Sequence, residues 1–202
     1  LHRIGDQTIV HLTLFFTALV IVFVLGISLG IVAGMYHTRG SLLIQILNVI
    51  EMIPDIAFLL LLIPLTGIGA APTVTAAVLY SLLPVVRNTS IGIRSVRSDL
   101  IESGIALGMT ERDILMQIRL PLALPLIAGG MRTAVVYSMG IVTLGGIIGA
   151  RGLGAVLQAG ITRNNMTVIL VAGVWIGFLA VIMDLVAASG EWYLSSRYGD
   201  RP

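Results

Sequence analysis

Apolar residues run along this chain in blocks far longer than a soluble core needs, separated by short polar intervals. Read against the roughly 20 residues that a bilayer's hydrocarbon core demands, the blocks predict five spanning helices, over about 9–36, 42–65, 73–91, 125–148 and 168–188. The first carries Gly26, Gly30 and Gly34 at four-residue intervals, a ridge of small residues onto which another helix can close. The second is interrupted by Pro54 and stopped by Pro64 and Gly67, and the third contains Pro84. Beyond the fourth, Gly145, Gly146, Gly149, Gly152 and Gly154 predict a loose outer segment. Trp175 lies within the fifth, with Trp192 and Tyr193 placed to anchor one interface. Dividing residues 125–161 into two spans gives a six-span alternative. The first apolar run is too long for a cleavable signal, and no small-residue cleavage site follows it.

The polar island at residues 99–121 has a pattern of its own, which predicts two short helices. Asp99 reads as the cap of the first, with Glu102 in its opening turn, favourable at a positive helix end. Gly108 stops that helix; Thr110 restarts the chain as a second cap, and Asp113, three residues on, makes an imperfect capping box. Ile114, Leu115 and Ile118 fall on one face of the second helix, and Pro121 and Pro125 are expected to end it. A short helix with an apolar stripe and charged flanks, held outside the bilayer, is an element that a partner's groove can grip. An ordinary solvated loop is the alternative.

Composition narrows the class. With 57% hydrophobic and 11% charged residues, and a mean hydropathy of +1.03, 202 residues lack the polar surface to cover a soluble domain. The net charge of +2 rests on arginine alone, since the chain contains no lysine. A phosphate-binding loop of the Gly-Lys-Ser/Thr kind is therefore excluded, and with it a nucleotide motor within this chain. There is no cysteine, and His2, His11 and His37 stand too far apart to predict a metal site.

Arginine also orients the spans. Arg39, Arg87, Arg94, Arg97, Arg112, Arg119, Arg197 and Arg201 fall on one side if the N-terminus is outside, against Arg3, Arg151 and Arg163 on the other. The positive-inside rule then puts residues 102–121 and the C-terminus in the cytoplasm. Two pairs of charges fall within the predicted spans. Glu51 and Asp55, four residues apart, would share one helical face and are expected to line a path for a cationic solute, unless an arginine pairs with them or they lie at a watery mouth. Arg132 and Asp184, in the cytoplasmic halves of neighbouring spans, are expected to neutralise each other.

The spacing of Glu102, Gly108 and Ile118-Arg119-Leu120-Pro121 resembles the cytoplasmic loop with which permease subunits of binding-protein-dependent ABC importers dock onto their ATPase. Over about residues 48–184 the chain is similar to the osmoprotectant permeases, which carry glycine betaine, carnitine and choline. The likeness rests on Leu62-Ile63-Pro64-Leu65-Thr66-Gly67-Ile68-Gly69, on the run from Tyr80 through Pro84 and Arg87 to Thr89, on Glu102-Ser103-Gly104, and on Ala128-Gly129-Gly130-Met131-Arg132-Thr133. Gly152-Leu153-Gly154 is shared more widely with methionine-type importers. Two departures stand out: Ser103-Gly104 where the loop commonly has two alanines, and acids at 51 and 55 where those relatives carry small or amide residues.

The resemblance implies an all-α type I importer permease, methionine-importer-like, in the cytoplasmic membrane of a bacterium or archaeon. Its implied partners are two ATPase subunits that bind ATP and Mg, a second permease subunit, identical or homologous, and an extracellular or periplasmic substrate-binding protein, with no nucleic acid. Glu102, Gly108, Ile114, Ile118, Leu120 and Pro121 become the coupling residues, Gly108 as the bend and Ile114 with Ile118 as the face that fills the ATPase groove. A methionine or other small-solute importer, and a channel or scaffold outside the ABC class, are the alternative readings.

Overall fold

The structure, a computed structural model, describes residues 2–199, the side chains of residues 2, 3 and 37 excepted. Arg201 and the side chains of Arg3, His2 and His37, all used above, therefore lie outside the described residues. The described chain is helical: α1 (His2–Met35), α2 (His37–Met52), α3 (Asp55–Thr66), α4 (Ala70–Arg94), α5 (Ser98–Ala106), α6 (Glu111–Ile114), a π-helical turn (Leu115–Arg119), α7 (Leu120–Ile147), α8 (Leu153–Thr162) and α9 (Met166–Tyr198).

Four helical stretches, Ile4–Met35, Ala70–Arg94, Glu111–Ile147 and Met166–Tyr198, are long and apolar enough to cross a bilayer. The pair Thr38–Met52 and Asp55–Thr66, bent by 99°, completes the predicted five when counted as one crossing. The six-span alternative fails on length, because α8 has ten residues and reaches about 15 Å against a core of about 30 Å. Nor is the outer glycine segment uniformly loose: Gly145 and Gly146 lie in α7 and Gly154 in α8, leaving only residues 148–152 between helices.

Close contacts at small residues fix the packing. A methyl group added at Gly26, Gly30 or Gly34 would strike Val85, Thr89 or Ile93 in turn, so α1 and α4 run parallel along the glycine ridge. Arg94 then donates to the Ala33 and Gly34 carbonyls, satisfying acceptors that the end of α1 leaves open. Helix α7 runs the other way. Its Gly145 faces Thr73, its Ser138 hydroxyl lies 2.8 Å from that of Ser81, and its Ala123 faces Gly92. In consequence α4 is the most enclosed span, with 61% of its apolar window buried against 11% for α9. His11 is fully buried in this core, its Nε2 lying 3.2 Å from the Met139 sulfur.

Two expectations for the polar island need correction. Asp99 does not cap α5; it sits inside the first turn, and Arg97 holds the N-cap position. Pro121 and Pro125 do not end the second short helix, which runs on into α7. Pro121 has no N–H to give and its ring would press on the carbonyl one turn back. The π-helical turn just before it, where Leu120 N–H donates to the Leu115 carbonyl, widens the helix and lets the chain pass through.

Candidate translocation site and coupling loop

Helix α2 cannot continue through Pro54, whose ring excludes the preceding residue from helical conformation. Ile53 accordingly sits at φ −74°, ψ 129°, and the chain turns before α3 starts at Asp55. The break corrects the expectation for Glu51 and Asp55: they do not share a helical face but sit on two helices meeting at 99°. Both nevertheless line one cavity of about 420 Å³, with Tyr80 of α4 and Tyr137, Gly140 and Ile141 of α7. A broken helix inside a membrane protein must find partners for the backbone groups it frees. Here the Tyr80 hydroxyl donates to the Ile53 carbonyl, while its ring lies 5.4 Å from that of Phe58. Asp55 stands in the first turn of α3.

Among the described residues no ion pair joins Glu51 or Asp55 to an arginine. Arg87 instead donates to the Asn48 side-chain oxygen at 2.5 Å. The cavity therefore combines two carboxylates with two phenol rings, a surface suited to a cation. In the sequence Tyr80 figures only as the start of a family-like run and Tyr137 not at all. The break at Pro54 is the signal that brings them to the acids.

Arg132 and Asp184 come together from α7 and α9 through two hydrogen bonds, at 2.7 and 3.0 Å. Glu191, which the sequence analysis passed over, joins them at 3.2 Å from Arg132. Its signal was spacing: Asp184 and Glu191 are seven residues, two helical turns, apart on α9 and so share a face.

In the loop, α5 ends in a hydrogen-bond pattern that requires a left-handed residue. Met109 N–H donates to the Gly104 carbonyl at 3.0 Å and Gly108 N–H to that of Ile105 at 2.9 Å, with Gly108 at φ +79°. The next helix opens with a complete capping box: Asp113 N–H donates to the Thr110 hydroxyl oxygen at 3.2 Å, and Thr110 N–H to the Asp113 carboxylate at 3.1 Å. The Thr110 hydroxyl, 2.6 Å from the same carboxylate oxygen, and after it the Thr110 N–H hold the Asp113 carboxyl below the ordinary range, as the Arg97 guanidinium does for Asp99.

The apolar stripe of this loop faces inward. Ile114 is 6% exposed, and Ile114 and Ile118 pack toward Gly104, where an added methyl would lie 3.4 Å from Ile114 Cγ1 and 3.0 Å from Ile118 Cδ1. Gly104 thus fits where larger side chains would crowd the turn. Leu120 and Pro121 are half-buried in the continuous helix, whereas Glu102 is exposed. The outward apolar groups are Leu100, Ile105, Leu107 and Met116, which the sequence analysis did not select.

Residues 26–192 match the family described as binding-protein-dependent transport system inner membrane component. The glycine betaine/carnitine/choline transport system permease protein OpuCD of Bacillus subtilis is 41% identical over 173 residues, covering 85% of this chain and 76% of that protein. The osmoprotectant import permease protein OsmW of Salmonella typhimurium is 37% identical over 186 residues, covering 90% and 86%. Among solved structures, an inward-facing MetNI methionine ABC transporter chain superposes with a TM-score of 0.84 at 21% identity, covering 95% of this chain and 96% of that one. That likeness establishes the type I importer fold, and the family match removes the reading as a channel or scaffold outside the ABC class. The chain belongs to the inner membrane permease components of binding-protein-dependent ABC importers, among relatives that include the osmoprotectant permeases.

Proposed function

We propose that this chain is the transmembrane subunit of an ATP-driven importer for quaternary ammonium osmoprotectants such as glycine betaine, carnitine or choline. The observation that carries the reading is the cavity at the α2–α3 break, where Glu51 and Asp55 face Tyr80 and Tyr137. A quaternary ammonium group has no N–H to donate, so it is held by negative potential and by aromatic faces, and this cavity offers both. The names of the relatives support the same solute class.

The remaining parts follow from the importer family. The arginine distribution favours an N-terminus outside and places residues 99–121 and the C-terminus in the cytoplasm. There the loop docks on one of two ATPase subunits, which bind ATP and Mg. Glu102 and the outward Ile105, Leu107 and Met116 supply the contact, while Gly108 and the Ile114–Ile118 packing keep the two short helices at a fixed angle. Leu120 and Pro121, within a helix continuous with α7, carry the displacement into the membrane. A second permease subunit completes the path and a secreted binding protein delivers the solute.

The deciding experiment is uptake of labelled glycine betaine, carnitine and methionine in cells with and without this chain, with its operon partners intact. Betaine or carnitine uptake that depends on the chain, and falls in the Glu51→Gln/Asp55→Ser double variant while membrane levels hold, is the expected result. Methionine uptake alone would transfer the importer to another solute class.

A further inference from the structure

Arg87 stands out as an exposed arginine two turns before the end of α4 whose described partner is neutral. Its guanidinium bonds the Asn48 amide oxygen at 2.5 Å and, among the described residues, forms no ion pair. A charge placed in a span is costly unless it faces water, a counter-ion or a ligand. A neutral hydrogen-bond donor would serve Asn48 equally well, so the contact itself does not require a charge, and the exposed guanidinium keeps donors free.

Its position relative to the acidic cavity bears on the charge instead. Arg87 lies two turns along α4 from Tyr80 and so shares its face, while Asn48 lies one turn before Glu51 on α2. The Arg87–Asn48 bond therefore ties the guanidinium to α2 at a position about one helical turn before Glu51, toward the C-terminal end of α4. The Tyr137 hydroxyl, on the cavity wall, is within electrostatic reach of both Glu51 and Arg87. Two carboxylates and two phenols thus line the cavity, and beyond its Glu51 side, outside the lining itself, stands a guanidinium with most of its donors uncommitted. A guanidinium offers paired N–H groups whose geometry matches a carboxylate.

We propose that Arg87 binds the carboxylate of a zwitterionic solute whose quaternary ammonium group occupies the Glu51–Asp55 cavity. This rests on the cation-cavity reading above and adds a substrate preference, for a betaine-type zwitterion over a plain cation. Glycine betaine and carnitine carry both groups; choline carries the ammonium and a hydroxyl.

The test uses the purified full complex of permease and ATPase in nanodiscs, without the binding protein, so that selectivity reports this chain. Binding of labelled glycine betaine and of labelled choline is measured for the unaltered complex, Arg87→Gln, Arg87→Lys and Glu51→Gln/Asp55→Asn. Arg87→Gln should weaken glycine betaine by about tenfold or more, the scale of a lost charged hydrogen bond, and leave choline unchanged. Arg87→Lys should recover part of the loss. The acid variant should weaken both solutes. Glycine betaine binding that is unaffected by Arg87→Gln, or equal loss of both solutes in that variant, overturns the role of Arg87 alone. Acid variants that bind both solutes normally overturn the cavity reading beneath it. An unaltered complex that binds neither solute overturns both.

Discussion

Arg132 of α7 grips the Asp184 carboxylate of α9 through both Nε and Nη2, and the same guanidinium reaches Glu191 two turns further along α9. One cation thus serves two carboxylates, and the cluster carries a net negative charge. This changes what a charge reversal should do. The double variant Arg132→Asp/Asp184→Arg would leave Glu191 beside a new aspartate, so it should recover only part of the membrane level lost in Arg132→Asp. Adding Glu191→Gln removes the clash and should raise recovery further. Quantitative immunoblots of membrane fractions separate the three variants. Equal levels in the double and triple variants would show that Glu191 does not share the arginine.

Gly108 has a left-handed backbone, φ +79°, with nothing within 4 Å of where a methyl group would stand. The obstacle to substitution is therefore conformational, at about 1–2 kcal/mol for an ordinary side chain. Gly108→Ala should already reduce uptake per ATP hydrolysed, Gly108→Arg should do so no less, and Gly108→Asn, which tolerates this conformation better, should keep most coupling. Measured in proteoliposomes, an alanine variant with full coupling and an arginine variant without it would instead point to a steric clash with the partner.

The spans were legible because their signal is length and hydropathy, which the bilayer imposes without regard to tertiary detail. The chain turn at Gly108 and the Thr110–Asp113 box were legible for a similar reason, since both are local backbone chemistry. What escaped depended on distance in space. The tyrosines of the cavity, the Arg87–Asn48 contact and Glu191 are brought to their sites by packing between helices far apart in sequence. The prolines divide: Pro54 interrupts its helix as its sequence position suggests, whereas Pro121, expected to end one, is absorbed by a π-helical turn. The same residue type gives either outcome, depending on how neighbouring helices satisfy the freed backbone groups.

The capping box gives a pH prediction. Hydrogen bonds from Thr110 lower the Asp113 carboxyl below its ordinary value of 3.8. A lowered folded-state value means the cap stabilises the turn fully above about pH 4 and loses that contribution as pH falls through the folded value. The Asp113 titration, followed by the shift of the Thr110 amide, should have its midpoint below 3.8 in the native protein. In Thr110→Ala the Asp113 carboxyl signal itself should titrate closer to the ordinary value. Coincident midpoints would mean that the box does not form in solution.

The α1–α4 seam gives the sharpest packing prediction. A methyl group at Gly30 would stand 2.4 Å from Thr89 Cβ, and that atom is fixed to the α4 backbone rather than at the end of a flexible chain. The two helices must separate to admit it, so Gly30→Ala should destabilise the subunit by about 1–3 kcal/mol, the usual range for overpacking. The clash lies between two Cβ positions, so Thr89→Ala cannot relieve it, whereas Thr89→Gly can. Gly30→Ala/Thr89→Gly, which moves the small residue across the seam, should therefore recover thermal stability in detergent that Gly30→Ala/Thr89→Ala does not. Equal melting temperatures for the two double variants would show that the helices have room to adjust, and that close approach at Gly30 is not what holds α1 against α4.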